Sequence, residues 1–388
     1  MKKQVFLVLA LSALLLTSCG GKPSGPQIED LGTKDFHTEL MNSYLGDTWD
    51  SILTYVPKVN AEDSSYHNDQ SQPNPIKLEF DEVEDSDVYF VQIANNAEFT
   101  DAKQVEVTEK FYNLYNAELG QEYYFRASDA EGGLDNAQIK KFKVSEVAPR
   151  YVHVDGVINF RDAGGWASSL VEGAKVKQGM YYRCAQFNSG NSKNITAAGL
   201  EAIKELGIKL DIDMRDSRNI PSESPINTEE WPVEIMNAAV ASSTEDGRWE
   251  GDHSLDHNIA ATYKRIFEAI AVADEKPIAL HCTHGADRTG IVSWFLLGLL
   301  GVSKDDCSRD YVMTRFAGER AVLPYDVESG TNRGTSELAK WNTKTEAVRG
   351  ETWAEKTYNH LIDLGIEADT LETIREKFVP GYTRPAAA

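Results

Sequence analysis

The chain has 388 residues, of which 41% are hydrophobic and 26% are charged, and its net charge at pH 7 is −22. This length exceeds that of one ordinary domain, so we expect two domains and a tail, and the hydrophobic content excludes a wholly disordered chain. A chain this acidic is repelled by nucleic acid and by anionic lipid surfaces, which excludes both as general partners.

The first 18 residues have the features of an export signal. A short basic start, Met1-Lys2-Lys3, precedes an apolar run from Val5 to Leu16 that is too short to cross a bilayer as an ordinary helix. The run ends in Leu16-Thr17-Ser18-Cys19-Gly20, which resembles the lipobox of bacterial lipoproteins, where the leader is removed and the cysteine becomes the lipidated first residue. The alternative is an ordinary secretory leader with an incidental cysteine.

The lipobox resemblance implies an exported protein whose membrane partner is reached through lipidated Cys19. Gly20 and Gly21, rather than Asp, follow the cysteine, which favours the outer membrane, on its periplasmic or surface face. In the segment 19–70, residues 20–30 are rich in Gly, Pro and Ser and predict a flexible tether. The rest of that segment shows no clear period, and we assign no element to it.

Residues 71–147 predict a small all-β sandwich domain. Five short segments rich in β-branched or aromatic residues are separated by Asp, Asn and Gly clusters, at the spacing typical of a sandwich. The predicted strands are Lys77–Phe80, Val88–Ala94, Gln104–Thr108, Glu122–Ala127 and Ile139–Val144. The run from Leu119 to Ala127 resembles a late strand of fibronectin type III-like domains in bacterial surface proteins, which implies a spacer or docking role.

Residues 148–385 alternate helices with strands, which predicts an α/β domain with a largely parallel central sheet flanked by helices. The predicted elements are a helix from Thr196 to Gly207, a strand from Ile208 to Arg215, a helix from Ile259 to Ile270, a strand from Pro277 to Leu280, a core helix from Ile291 to Leu300 and a last helix capped by Asp369. The strands rest on alternation of apolar and polar residues or on short apolar runs, and the helices on apolar residues at helical spacing.

The segment between the short buried strand and the core helix carries candidate catalytic residues. It reads His281-Cys282-Thr283-His284-Gly285-Ala286-Asp287-Arg288-Thr289-Gly290. Cysteine, five residues and arginine is the spacing of a phosphate-binding loop with a built-in nucleophile, because successive main-chain N–H groups and the start of the next helix can face one oxyanion. The same field favours the Cys282 thiolate, and Arg288 supplies a planar donor for two phosphate oxygens. Gly285 permits the tight turn.

This loop resembles that of the cysteine-dependent protein tyrosine phosphatases, and most of all the bacterial members whose loop ends in Asp-Arg-Thr-Gly. Two upstream stretches share the resemblance. Asn159 to Gly165 is similar to the opening Asn-Phe-Arg-Asp-Leu-Gly-Gly motif, with Ala163 in place of the leucine, and Gly207 to Arg215 is similar to the Gly-Ile…Asp-Leu-Arg strand. The resemblance covers about residues 152–379 and implies a cysteine-phosphatase fold and a phosphoric monoester hydrolase.

The resemblance also implies a role for each residue of the loop. Cys282 attacks phosphorus, and the Thr289 hydroxyl helps the sulfur to leave. The phosphate-binding residues are Thr283, His284, Gly285, Ala286, Asp287 and Arg288. His281 holds the carbonyls of the loop from behind, and Arg161 and Asp162 support it. The eight histidines show no metal-ligand spacing, so we expect no metal and no cofactor.

Several carboxylates compete for the role of general acid, which must protonate the leaving oxygen and then deprotonate water. Trp231-Pro232 is followed by Val233 instead of the Asp of the Trp-Pro-Asp loop in larger tyrosine phosphatases, so that position is excluded. In the nearer relatives the Asp before the loop arginine is a proposed acid, and here it is Asp287. Asp213 and Asp216, at the carboxyl end of a parallel strand, are the alternatives. The structural alternative for each is a salt bridge with Arg161, Arg215 or Arg288.

Position 286 bears on the substrate. Relatives that act on lipids carry Lys there, where a second cation can hold a second phosphate, whereas this chain has Ala286. The resemblance therefore implies a singly phosphorylated substrate, either protein phosphotyrosine or a small phosphate ester. Inositol phosphates or phosphoinositides are the alternative substrates, and an inactive surface lipoprotein that only binds its ligands is the alternative function.

Cys184 follows Tyr182-Arg183, where relatives more often show Arg-Ser. A reversible disulfide with Cys282, a structural disulfide with Cys307 and a free buried thiol are all compatible with the sequence, and we favour the last two over the first.

Overall fold

The computed structural model describes residues 28–46, 71–188, 194–215, 219–240, 257–317, 325–326 and 331–385. Two predicted site residues, Cys19 and Asp216, lie outside the described residues, as does the export signal.

The strands are β1 (Ile28–Lys34), β2 (Ile76–Glu79), β3 (Tyr89–Ala94), β4 (Lys103–Val107), β5 (Phe111–Leu114), β6 (Glu122–Ser128), β7 (Ile139–Val144), β8 (Arg150–Tyr151), β9 (Arg161–Asp162), β10 (Tyr181–Cys184), β11 (Leu210–Asp213), β12 (Glu234–Asn237), β13 (Ile278–His281), β14 (Tyr325–Asp326) and β15 (Thr331–Asn332). The helices are α1 (Glu39–Gly46), α2 (Ala197–Glu205), α3 (His257–Ile270), α4 (Arg288–Leu299), α5 (Lys304–Met313), α6 (Arg333–Glu346), α7 (Trp353–Asp363) and α8 (Ala368–Phe378). After residue 148 strands are interspersed with helices between β10 and α4, while three strands in a row, β8 to β10, precede this stretch and mostly helices follow it.

The strands β1 to β7 form the β-rich part of the chain. One sheet has the order β1-β7-β6-β3-β4 and is antiparallel except that β1 pairs parallel with β7, while β2 and β5 make a separate antiparallel pair. Inward-facing side chains from both sheets, among them Ile76, Leu78, Val91, Phe125 and Phe142, belong to one hydrophobic core. The alternation of buried and exposed residues along β2 follows the two-residue period of a strand.

The five predicted strands of this part match β2, β3, β4, β6 and β7 to within one residue. The sequence did not predict β5, since its four side chains are all half-buried and show no alternation. It assigned no element to the segment that holds α1 and most of β1 either. β1 is a mostly exposed strand that hydrogen-bonds along the edge of β7, so apolar periodicity could not mark it.

The second sheet has the order β12-β11-β13-β10-β9-β8. The pairs β12–β11, β11–β13 and β13–β10 are parallel, and the pairs β10–β9 and β9–β8 are antiparallel. With the helices that follow it in the chain, this sheet makes a mixed α/β structure. The carboxyl ends of β10, β11 and β13 meet at one edge, where ligands bind in sheets of this kind.

The four predicted helices of this part correspond to α2, α3, α4 and α8, whereas α5, α6 and α7 were not predicted, and α3 and α4 begin two and three residues before the predicted positions. The predicted caps were right for α2 and wrong for α8. The Thr196 hydroxyl accepts a hydrogen bond from the main-chain amide of Gly199 and caps α2, and Gly207 takes a left-handed conformation with φ +71° after it. Asp369 does not cap α8. The cap position is Glu367, and the Asp369 carboxylate, two residues later in the first turn, forms an ion pair with Arg384 at 2.6 Å.

Helix α4 lies at the centre of the α/β part. Each of its residues is buried, and its rings contact two flanking helices, with Trp294 5.3 Å from Trp353 and Phe295 5.4 Å from Trp341 between ring centroids. Among the described residues, no helix combines the length and apolar character needed to span a membrane.

The β-rich part and the α/β part are in direct contact. The Asn116 side chain accepts a 2.7 Å hydrogen bond from the main-chain amide of His153 and donates a 3.0 Å bond to its carbonyl. The Gln178 side chain makes the same pair of bonds to the main chain of Leu119, at 2.9 and 3.0 Å. These paired bonds fix the two parts to each other at the side of the second sheet where β8 and β9 lie.

Candidate active site

Residues 282–287 form the loop that joins β13 to α4. β13 is fully buried between β11 and β10, and α4 is buried along its whole length, so core packing fixes both ends of the loop. The loop therefore lies at the carboxyl edge of the parallel strands, and the positive end of α4 begins immediately after it. Cys282 is the first residue of the loop, and Arg288 is the first residue of the helix.

Gly285 makes the sharp turn in the middle of the loop. Its φ of +67° is a conformation that other residues avoid. A Cβ atom at this position would lie 2.3 Å from the main-chain oxygen of Cys184 and 2.9 Å from the amide nitrogen of the Asn159 side chain. The loop can pass this close to β10 only because position 285 has no side chain.

The electrostatic surroundings of Cys282 favour its thiolate. The residue is only 3% exposed, and burial by itself raises the pKa of a thiol. The positive charge of Arg288 and hydrogen bonds from the hydroxyl and the main-chain amide of Thr289 outweigh both burial and the charge of Asp287, so the pKa of Cys282 is lowered. In contrast, burial raises the pKa of the neighbouring Cys184 thiol well above its usual range. Of the two thiols, Cys282 is therefore the one whose surroundings favour the nucleophilic, ionised form.

The Arg288 side chain extends from the start of α4 to the end of β11. Its Nη1 donates a 2.8 Å hydrogen bond to the main-chain oxygen of Met214, and its Nη2 lies 3.5 Å from the hydroxyl of Thr283. These contacts hold the guanidinium beside the loop that begins at Cys282, in the position that the Cys-x5-Arg spacing predicts for an oxyanion-binding arginine.

His281 lies behind the loop, as predicted. Its Nδ1 is 3.1 Å from the main-chain oxygen of Cys282, and its Nε2 forms an ion pair with Asp211 at 3.0 Å. Burial alone would lower the pKa of this imidazole, but the charge and hydrogen bond of Asp211 outweigh burial and raise it. Asp211 is held in turn by the Ser224 hydroxyl at 2.5 Å. The ring, held in place by Asp211, thus fixes the first carbonyl of the loop.

The Asn-Phe-Arg-Asp stretch supports the loop through its first and third residues. The Asn159 side-chain amide donates hydrogen bonds to the main-chain oxygens of His284, at 3.0 Å, and Gly285, at 3.2 Å. Arg161 is fully buried and donates to the Asn159 side-chain oxygen. Arg161 therefore acts on the loop through Asn159, a residue that the motif contains but to which the sequence assigned no role.

Asp162, also predicted as a supporting residue, makes its contacts away from the loop. Successive residues of a strand point to opposite faces, so Asp162 faces away from the loop that Arg161 supports. Its carboxylate accepts hydrogen bonds from Arg150 at 3.1 Å and from the main-chain amides of Gly164 and Gly179 at 2.8 and 2.7 Å. Asp162 joins the edge of the sheet to the loops around it.

The structure describes two of the three candidate general acids, Asp213 and Asp287. Asp213 is fully buried and bound by Arg215, with contacts of 2.6 and 3.0 Å, so it occupies the salt bridge that was its structural alternative. Asp216 lies outside the described residues. Asp287 is half-buried at the start of α4, where its side chain makes no helix-capping bond and the Tyr311 hydroxyl is 3.5 Å away. Of the two described candidates, Asp287 is the one that belongs to the loop, whereas the carboxylate of Asp213 is held by Arg215.

Trp231 lies apart from the loop, in agreement with its exclusion as part of an acid loop. Its indole N–H donates a 2.8 Å hydrogen bond to the main-chain oxygen of Ile208, and the Lys209 ammonium lies 3.0 Å from the ring centroid. These contacts hold the Trp-Pro segment against the start of β11, away from the carboxyl edge of the sheet.

The three cysteines within the described residues, Cys184, Cys282 and Cys307, are free. Cys184 pairs with His281 in the register of β10 and β13, so it lies next to the loop as the sequence indicated. In the same residues, no three His, Cys, Asp or Glu side chains are grouped as metal ligands.

Three residues at the loop carried no functional signal in the sequence. Arg183 donates a 2.8 Å hydrogen bond to the Gly285 main-chain oxygen, Asp310 on α5 binds Arg183, and Thr314 accepts a 3.2 Å bond from Asn159. Arg183 stands in a buried strand directly before Cys184, and a charged residue in that place is the one sign that could have identified it.

Residues 152–379 match the tyrosine phosphatase family. A putative tyrosine-protein phosphatase of Cupriavidus necator is 28% identical over 172 residues, which cover 41% of this chain and 60% of that protein. A tyrosine-protein phosphatase of Nostoc commune is 30% identical over 138 residues, which cover 31% of this chain and 45% of that protein. The chain thus spans less than two thirds of the length of either relative.

Among solved structures, P. aeruginosa TpbA aligns with 45% of this chain and 96% of its own, at 17% identity and a TM-score of 0.27. A TpbA structure in complex with pTyr aligns over the same shares, at 16% identity and a TM-score of 0.26. The family match extends over more than half of the residues and includes all three motifs, and the chain therefore belongs to the tyrosine phosphatase family.

Proposed function

We propose that this protein hydrolyses phosphate monoesters, and protein phosphotyrosine in particular, through a phosphocysteine intermediate. The observation that carries the proposal is the pairing of Cys282 with Arg288 across the loop. The charge of Arg288 is the largest influence that lowers the pKa of Cys282, and both residues adjoin the N-terminus of a buried helix. An inert core cysteine would show the opposite shift, as Cys184 does.

The reaction follows from the positions of these groups. The Cys282 thiolate attacks phosphorus, an S–P bond forms, and the P–O bond to the phenol breaks while the departing oxygen takes a proton from Asp287. The loop amides and the Arg288 guanidinium hold the equatorial oxygens. In the second step Asp287 removes a proton from water, the water oxygen attacks phosphorus, and the S–P bond breaks. The Thr289 hydroxyl, which favours the ionised form of Cys282, stabilises the returning thiolate.

A singly phosphorylated substrate is favoured over a polyphosphorylated one. Ala286 places an apolar side chain where relatives that act on lipids carry a lysine, and it is only 4% exposed. Arg215, at the end of β11, is bound bidentately by Asp213, so the carboxylate neutralises its charge. A second phosphate group would therefore gain little attraction at either position.

Parallel assays with four substrates test this proposal. They are a phosphotyrosine peptide, p-nitrophenyl phosphate, an inositol polyphosphate and a phosphoinositide in vesicles. We expect hydrolysis of the first two, complete loss of activity in Cys282→Ser, and little activity on the last two. A preference for the polyphosphorylated compounds would favour the inositol alternative, and binding without hydrolysis by the wild type would favour the inactive binding protein.

We further propose that the phosphatase is an exported lipoprotein of the cell envelope. It would be anchored through Cys19, with a fibronectin type III-like sandwich between the anchor and a cysteine-phosphatase domain whose sheet is largely parallel. The lipobox and the apolar leader support the anchor, and the five-stranded sheet together with the separate β2–β5 pair supports the sandwich. Mass spectrometry of the mature N-terminus tests the anchor. A diacylglyceryl group on Cys19, lost in Cys19→Ala, is expected, whereas an unmodified mature cysteine would contradict it.

A further inference from the structure

The main-chain carbonyls of an oxyanion-binding loop need hydrogen-bond donors that the loop itself does not supply. When the main-chain N–H groups of a loop point inward to a ligand, the carbonyls of the same peptide groups point outward into the protein, and buried carbonyls need donors. Two side chains supply them here. Asn159 donates to the oxygens of His284 and Gly285, at 3.0 and 3.2 Å, and Arg183 donates to the oxygen of Gly285 at 2.8 Å.

These donors form one buried cluster with the groups that hold them. We call Asn159, Arg161, Arg183, Asp310 and Thr314 the carbonyl clamp; each of them is at most 1% exposed. Asn159 keeps a left-handed backbone conformation, with φ +58°, in order to present its amide. Backbone strain in a non-glycine residue persists where the surroundings fix it, and it is concentrated at functional sites.

Asp310 is the member of the clamp that orients both arginines. Its Oδ1 accepts a 2.7 Å hydrogen bond from Nε of Arg161, its Oδ2 accepts from Nη1 of Arg183, and its main-chain oxygen accepts a 2.5 Å bond from Nη2 of Arg161. Although burial opposes ionisation of the carboxyl, the charges of the two arginines lower the pKa of Asp310. One carboxylate therefore compensates two buried guanidinium groups.

The two arginines cannot keep this geometry without the shared carboxylate. Burial and the charge of Arg161 together lower the pKa of Arg183, which shows that the two guanidinium groups repel each other. Arg161 reaches the loop through Asn159, and Arg183 reaches it directly. Loss of the negative charge would separate the arginines and release the carbonyls of residues 284 and 285 together.

We propose that Asp310 is a positioning residue for the phosphate-binding loop, acting through Arg183 and, by way of Arg161, through Asn159. It touches no reacting atom. The clamp directs the carbonyls of residues 284 and 285 outward, and so it directs the amides of Gly285 and Ala286 toward the oxyanion. A carbonyl that accepts from a guanidinium also polarises its peptide group, which strengthens the N–H donor on the other side. This inference rests on the proposed function, because it assigns those amides to a bound phosphoryl group.

Two variants test the clamp, each with a matched control. Asp310→Asn removes the shared charge with little change of shape, and its control is Asp162→Asn, another buried carboxylate bound by one arginine but facing away from the loop. Asn159→Gly removes the donor while glycine retains the left-handed conformation. Its control is Asn116→Gly, because Asn116 has φ +61° and also binds main-chain groups through its side chain, far from the loop.

The measurement is the affinity for tungstate, an inorganic oxyanion, by titration calorimetry, at a temperature where circular dichroism shows each protein to be folded. We expect Asp310→Asn and Asn159→Gly each to weaken binding at least ~10-fold, since loss of one oxyanion donor has effects of this size or larger, and the controls to bind as the wild type does. If Asp310→Asn does not fold, Asn159→Gly decides alone. Wild-type affinity in the folded variants would overturn the clamp only. A wild type that neither binds tungstate nor hydrolyses p-nitrophenyl phosphate would overturn the proposed function, and the clamp with it.

Discussion

The guanidinium of Arg288 donates a 2.8 Å hydrogen bond to the main-chain oxygen of Met214. Arg288 opens α4, and Met214 is the residue after β11, so one side chain joins the helix that follows the loop to the strand beside it. The planar guanidinium can hold this carbonyl and still present donors to an oxyanion, which a lysine ammonium on a flexible stem cannot do in a fixed geometry.

Replacing Arg288 by lysine should therefore lower kcat/KM even though the charge is kept. We expect a loss on the order of 10²- to 10³-fold in Arg288→Lys, comparable with the removal of an oxyanion donor. Steady-state kinetics with p-nitrophenyl phosphate measures it, and thermal unfolding checks that the fold is retained. Activity within a few-fold of the wild type would mean that charge alone, and not donor geometry, is what position 288 contributes.

Replacing Gly285 by alanine should damage both stability and activity. The Cβ would meet the Cys184 main-chain oxygen at 2.3 Å, so β10 or the loop must move. Gly207→Ala is the control, because Gly207 has a similar φ of +71° and its nearest neighbour would be at an ordinary 3.9 Å. The control should lose about 1 kcal/mol of unfolding free energy from backbone strain alone, and Gly285→Ala should lose more. Equal losses in urea unfolding would show that the close approach to β10 is not maintained in solution.

Removal of the Thr289 hydroxyl should raise the pKa of Cys282. The hydroxyl favours the thiolate, so Thr289→Val shifts the equilibrium toward the neutral thiol. At any pH below the new pKa a smaller fraction of the sulfur is then nucleophilic. The rate of iodoacetamide alkylation of Cys282, followed against pH, should have its midpoint at higher pH in Thr289→Val. Thr289→Ser keeps the hydroxyl and should leave the midpoint in place; a shift in both variants, or in neither, would contradict the assignment.

The role of Asp287 can be tested through the leaving group. Phenyl phosphate releases a more basic oxygen than p-nitrophenyl phosphate does, so it depends more on protonation by a general acid. Asp287→Asn should therefore reduce kcat/KM, which reports the step that releases the phenol, on the order of 10²-fold or more for phenyl phosphate and clearly less for p-nitrophenyl phosphate. An equal reduction for both substrates would exclude Asp287 as the acid and direct attention to Asp216.

The sequence was sufficient to predict the loop and the elements that bound it. Cys282, Gly285 and Arg288 are close in sequence, and their spacing alone defines the turn between β13 and α4. The supporting residues were predicted only where they belong to a motif. Arg161 was predicted in this way, but the role of Asn159 was not. That role depends on the direction of the carbonyls in a loop 125 residues later in the chain.

The contacts that Arg183 and Asp310 make could not be predicted from local pattern. Their contacts depend on the order of strands in the sheet, which places β10 beside β13, and on the packing of α5 against α4. Asp162 is the opposite case. It belongs to the motif and follows Arg161, but it lies on the other face of their two-residue strand and therefore faces away from the loop. Sequence spacing thus identifies groups that act together along the chain, and only the fold shows which distant groups hold them.

The central claim is that the Cys282 sulfur carries the phosphoryl group between the two steps. The most direct measurement is a rapid acid quench of the enzyme during turnover of a ³²P-labelled phosphotyrosine peptide, followed by mapping of the label. The account predicts that the label is found on the peptide that contains Cys282 in the wild type and is lost in Cys282→Ser. Turnover without a labelled enzyme, or a label that persists in Cys282→Ser, would contradict it.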